Sequence, residues 1–141
     1  MSTPNISSEQ SQALYNQYQS VVQQIQILDN QLAQIGSVVD ELTMNLATVD
    51  GLMIRKDETE IILPLGGLLF IKADLKDKNE LLLNIGSETI IPATFEKGKE
   101  LLEDRYKEMQ DVYQKLSKDK VKIEEIASQL QNQLNQINKT R

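Results

Sequence analysis

Two runs of apolar residues, spaced alternately four and three apart, set the main limit on how this chain folds. The first is Leu14, Tyr18, Val21, Ile25, Leu28, Leu32, Ile35, Val39, Leu42, Leu46 and Val49. The second is Leu102, Tyr106, Met109, Tyr113, Leu116, Lys120, Ile123, Ala127, Leu130, Leu134 and Ile137, in which only Lys120 breaks the apolar rule. This spacing draws one narrow apolar stripe along a helix, the seam of a coiled coil. Ser7, followed three residues later by Gln10, forms a capping box, and Thr94 with acidic Glu96 marks a second helix start. Gly36 costs about 1 kcal/mol of helix propensity, too little to stop so regular a pattern. Gly51 is a candidate C-cap, with Leu52, Met53 and Ile54 able to extend the helix. The pattern predicts helices over 7–55 and 95–140, folded back as an antiparallel hairpin.

Matching complementary seam positions predicts the register. It pairs Leu42 with Tyr106, Ile35 with Tyr113, Leu32 with Leu116, Ile25 with Ile123, Tyr18 with Leu130 and Leu14 with Leu134. Lys120 then lies beside Leu28 and near Asp29, where its ammonium leaves the seam for water or that carboxylate. Aromatics make up only 4% of the 141 residues and Trp is absent, which favours helices packed along their length over a compact globule.

Between the helices, residues 59–93 read as strands. Four short runs rich in β-branched and aliphatic residues occupy Thr59–Leu65, Leu68–Leu75, Glu80–Ile85 and Thr89–Ala93. Gly66-Gly67 and Gly86-Ser87-Glu88 read as the turns of two hairpins, joined through Asp77-Lys78-Asn79. Pro64 and Pro92 belong at strand ends, edges or bulges. The strands are apolar on both faces: Leu68 and Phe70 oppose Leu69 and Ile71, and Leu82 opposes Leu81 and Leu83. Four short strands cannot bury two apolar faces alone, so this region is expected to join subunits. The residues expected to do so are Ile61, Leu63, Leu65, Leu69, Phe70, Ile71, Leu81, Leu83, Ile85 and Ile90. The expected fold class is α+β, a single domain over residues 1–141 whose hairpins enter an oligomeric β-barrel body.

The same composition narrows chemistry. Without His or Cys there is no His-dependent triad and no thiol nucleophile. Leu65-Gly66-Gly67-Leu68 lacks the Gly-Lys-Ser/Thr ending of a phosphate loop, and Glu124-Glu125 beside Lys122 reads as solvated surface. No enzyme activity, cofactor or metal is expected. The net charge is −6, and five acidic residues but no basic one precede Arg55. That distribution argues against nucleic acid and anionic membranes as partners. No apolar run approaches the roughly 18 residues of a membrane span. The opening MSTPNISSEQ lacks a basic start and an apolar core, so a cytoplasmic protein without a signal peptide is expected. The glycosylation patterns at Asn5-Ile6-Ser7 and Asn138-Lys139-Thr140 are then chance matches.

The stretch EIILPLGGLLFIKADL (60–75) resembles the E-ILVPLG-G-F-KA-L segment of the prefoldin family. LLLNIGSETI (81–90) resembles its V-VGVG-GY segment, and FEKGKELLEDR (95–105) the opening of its second helix. Two hairpins between the helices resemble the archaeal-type alpha class. Two departures stand out: Ser87-Glu88 replaces a Gly-rich turn, and Pro92 replaces an ordinary strand residue. The resemblance implies a hexamer of two alpha-type and four beta-type subunits, with coiled coils extending from a β-barrel body. It also implies an ATP-independent holdase that captures unfolded proteins at the coiled-coil tips and passes them to a group II chaperonin. The free ends suit that role, since no charged residue lies between Glu9 and Asp29 or between Glu125 and Lys139. The candidate client-binding residues are Ile6, Leu14, Tyr15, Val22, Leu130, Leu134 and Ile137. The alternative is a structural coiled-coil scaffold or a filament-forming prefoldin relative.

Overall fold

The computed structural model describes residues 8–55, 60–76 and 79–139. Asn5, Ile6, Ser7, Thr59, Asp77, Lys78 and Thr140, named above, lie outside the described residues. The elements follow in the order α1 (Ser8–Met53), β1 (Glu60–Gly66), β2 (Leu69–Asp74), β3 (Glu80–Gly86), β4 (Thr89–Thr94) and α2 (Phe95–Lys139). They fall into two compact parts, residues 1–38 with 109–141, and residues 39–108.

In the first part, α1 and α2 run antiparallel. Lys120 Nζ lies 2.5 Å from Asp29 Oδ1, and Gly36 faces the ring of Tyr113. One heptad up α1 is one heptad down α2, which is the register drawn from the seams. Lys120 does leave the seam for Asp29, and Glu124 lies 3.5 Å from the same ammonium. The seam residues of this part are buried or half-buried, with one exception: Tyr113 is 41% exposed. Gly36, which faces it, has no side chain to lay over the ring; a methyl built there would lie 3.9 Å from Tyr113 Cε2.

The second part holds both hairpins. α1 runs past Gly51, which stays helical, and ends at Met53. Its last turn is closed by Ile54 N–H donating to the Asp50 carbonyl and by Arg55 Nη1 donating to the Leu52 carbonyl. α2 starts as its sequence requires, with Lys97 N–H donating to Thr94 Oγ1 at 3.1 Å, the geometry of an N-cap. Leu42, Val49 and Phe95 are buried, and the Arg55 guanidinium lies over the Phe95 ring, 5.5 Å from its centre. Lys99 Nζ meets Asp50 Oδ1 at 2.8 Å.

Both these lysines are held charged above their ordinary value of 10.5, first by the hydrogen bonds to Asp29 and Asp50. A raised lysine value adds stability that is complete below 10.5 and is lost only as pH rises through the raised value. Both pairs are therefore intact at neutral pH.

The two hairpins share one design. Each is an antiparallel pair, β1 with β2 and β3 with β4, and each forms its own two-stranded sheet. Each first strand loses register just before its final glycine, between Pro64 and Gly66 and between Asn84 and Gly86. Leu65 and Ile85 are thereby left opposite no partner, a β-bulge that bends and twists the strand. The final glycines have φ of +105° and +100°, a conformation that side chains resist. Gly66 therefore ends β1, and the first turn is Gly67-Leu68, one residue later than the sequence pattern placed it.

Replacing Gly36 with Ala tests the helix interior. The added methyl meets Tyr113 at ordinary contact distance, and a helical Gly costs about 1 kcal/mol relative to Ala. Gly36→Ala is expected to raise the urea midpoint of helix unfolding by roughly that stability. A lowered midpoint would mean the Tyr113 ring needs the bare backbone.

Candidate functional site

Two surfaces carry candidate function, one in each part of the chain. The first is the surface of the hairpins. By pairing, Ile61, Leu63, Ile71 and Ala73 share one face of the first hairpin, and Ile62, Phe70 and Lys72 share the other. In the second hairpin Leu81, Leu83, Ile91 and Ala93 share one face and Leu82, Ile90 and Pro92 the other.

Most of the residues expected to join subunits are exposed. Leu63, Leu65, Leu69, Phe70, Ile71, Ile85 and Ile90 all lie open, with Phe70 at 64%. Ile61, Leu81 and Leu83 are half-buried within their own chain. The reason for the two leucines is Gly98, which is buried in the first turn of α2. A methyl there would lie 2.7 Å from Leu81 Cδ1 and 4.0 Å from Leu83 Cδ2. The second hairpin thus rests one face on α2 at a site where a glycine admits it. The residues expected to join subunits did not include Ile62, Leu68, Leu82 and Ile91, which are also exposed; Leu68, at 95%, is almost wholly so. The signal was in the strings themselves, since every one of them is aliphatic in a strand or turn.

The turn of the second hairpin is strained. Ser87 and Glu88 both have positive φ, 50° and 59°, the pattern of a type I′ turn that Asn-Gly fills most easily. Asn84 Oδ1 accepts from Gly86 N–H at 3.0 Å, and Thr89 Oγ1 donates to the Ser87 carbonyl at 3.4 Å. These bonds hold the turn in shape.

The second surface is formed where the start of α1 meets the end of α2. A groove of about 480 Å³ runs there, lined by Gln12, Tyr15, Tyr18, Gln131, Leu134 and Asn135 among others, and among the described residues none of its lining is charged. Of the candidate client-binding residues, Tyr15 and Val22 are exposed, at 49% and 39%. Leu14 and Leu134 are half-buried. Leu130 and Ile137 are buried in the seam, although Ile137 also lines the groove, so only Leu130 is reached solely by displacing helix contacts. Farther along the same part a shallower groove passes Ile27, Leu28 and Ile123, but Asp119 and Lys122 border it. Among the described residues there is no cluster of potential metal ligands. No helix in them is long and apolar enough to cross a membrane.

The family model for prefoldin subunits matches residues 21–140. The chain belongs to the prefoldin family. Prefoldins are non-enzymatic chaperones, and the two hairpins agree with the alpha class. Prefoldin subunit alpha of Methanococcus aeolicus is 37% identical over 70 residues, which are 50% of this chain and 46% of that relative. The match thus spans about half the length of the curated relative. Among solved structures, a filamentous PFD from Methanocaldococcus jannaschii, seen by cryo-electron microscopy, matches with a TM-score of 0.57 at 16% identity. It covers 89% of this chain and 99% of that one. The likeness is one of fold: two long helices with two small antiparallel hairpins between them.

The strained turn of this prefoldin chain gives a direct test. Changing Ser87→Asn and Glu88→Gly puts in place of two residues that resist a left-handed backbone one that tolerates it and one without a side chain; the strain relieved is on the order of 1 kcal/mol. The double variant is expected to slow hydrogen exchange in β3 and β4 and to raise stability by about 1 kcal/mol. Unchanged or faster exchange would show that the turn carries no strain.

Proposed function

We propose that this chain is the alpha-type subunit of a cytoplasmic prefoldin hexamer, an ATP-independent holdase with four beta-type partners. In this reading its hairpins enter a shared β-barrel body, its helix ends hold unfolded chains, and the load passes to a group II chaperonin. Family membership supports the chaperone class. The single observation that carries the rest is the uncharged groove at the helix ends, bordered by exposed Tyr15. A site without charge repels no client of either sign and has no ion to desolvate. The exposed aliphatic faces of both hairpins support the assembly half of the proposal, because buried apolar area at about 25 cal/mol per Å² drives association.

A second reading is self-assembly into a filament, since the structural neighbour is a filamentous PFD. Native mass spectrometry of the chain alone separates the two, because an open series of homo-oligomers marks the filament.

The holdase reading is tested by removing residues 1–12 and 131–141 from the chain within its complex. The expected result is a complex that still assembles and suppresses client aggregation severalfold less well. Full suppression by the assembled truncated complex would place capture on other surfaces.

A further inference from the structure

The end groove has more than apolar walls. Gln131 and Asn135 line it one above the other on α2, one helical turn apart, and Asn138 continues the row. Across from them Gln12 lines the α1 side, its Nε2 donating to Asn16 Oδ1 at 3.1 Å. Among the described residues, neither Gln131 nor Asn135 spends its side-chain amide on another group. Each such amide offers two donors and an acceptor. Four helical residues rise about 6 Å, and an extended chain repeats its outward backbone groups every two residues, about 6.8 Å. The two spacings agree closely enough for Gln131 and Asn135 to meet successive peptide groups of one strand. Tyr15 and Leu134 supply apolar contact beside this row.

We infer that the groove recognises the backbone of an extended, unfolded polypeptide, with the Gln131–Asn135 amides pairing to peptide N–H and C=O groups. The inference rests on the proposed capture at the helix ends and names what is captured. A neutral groove complements the neutral peptide backbone, which every unfolded protein exposes and every folded one pairs internally. Side chains of the bound segment then matter less than its lack of secondary structure. An apolar-only groove would instead bind according to hydrophobicity alone.

The test uses the full chain, assembled with its partners, and two labelled neutral peptides of alternating Val and Ser. One has a normal backbone; the other carries N-methyl groups on alternate residues, which removes donors and adds apolar surface. Backbone recognition predicts that the N-methylated peptide binds at least fivefold more weakly. It also predicts that a Gln131→Met, Asn135→Leu variant, with helicity checked by circular dichroism, binds the two peptides alike. Equal or tighter binding of the N-methylated peptide to the unaltered protein overturns the inference and leaves capture at the helix ends standing. Normal-peptide binding that survives removal of residues 1–12 and 131–141 overturns both. The peptide comparison needs no variant, so it decides the matter even if the substitutions disturb the helix.

Discussion

An apolar strand needs a partner on each edge and cover on each face, and this chain supplies neither in full. Each hairpin is a two-stranded sheet on its own, the least stable arrangement of strands in water. Aliphatic side chains stand open on both faces of both hairpins, Leu63 and Ile62 in the first, Ile91 and Leu82 in the second. The chain makes only a local settlement. Gly98 lets Leu81 and Leu83 rest on α2, Thr94 caps the helix that receives them, and Arg55 closes over Phe95. What is left uncovered is the surface that a second chain would have to bury. Both hairpins carry a bulge at the same place, at Leu65 and at Ile85, the kind of feature that adds twist to a strand.

The helices obey the opposite economy. Their seam residues are used mostly within the chain, while a few apolar side chains off the seam, among them Ile27, Met44 and Val121, stand exposed. A lysine in the seam lowers coiled-coil stability but fixes alignment. Lys120 does this here because Asp29 and Glu124 lie within reach of its ammonium. A slip by one heptad would carry Lys120 away from Asp29 and move Tyr113 off Gly36. Charge is therefore used where register is set and, among the described residues, is absent from the lining of the groove where the two helix ends meet.

The seams were legible in sequence because a 3.5-residue period is a property of the string alone. They fixed the helices, their direction and their register. Tyr113 shows the limit: it holds a seam position yet is exposed, and the residue that faces its ring is a glycine of the other helix. The strands were legible for similar reasons, yet alternation sorts residues into two faces without saying which face meets the helix. That is why Leu81 and Leu83, expected to lie between subunits, are half-covered by their own chain, and why the part played by Gly98 went unread. The first turn was misplaced by one residue because Gly66-Gly67 looks like a turn by itself. Only the pairing shows that Gly66 closes a bulge. Leu130 and Ile137 fit both seam and client site by sequence, and their burial assigns them first to the seam.

The most direct test of this account is hydrogen exchange across residues 60–94, measured for the chain alone and after mixing with a beta-type prefoldin subunit. The account predicts that amides of β1 to β4 exchange fast in the isolated chain and become strongly protected in the complex, while the middles of α1 and α2 are protected in both. Strong protection of all four strands in an isolated, monodisperse monomer would contradict it.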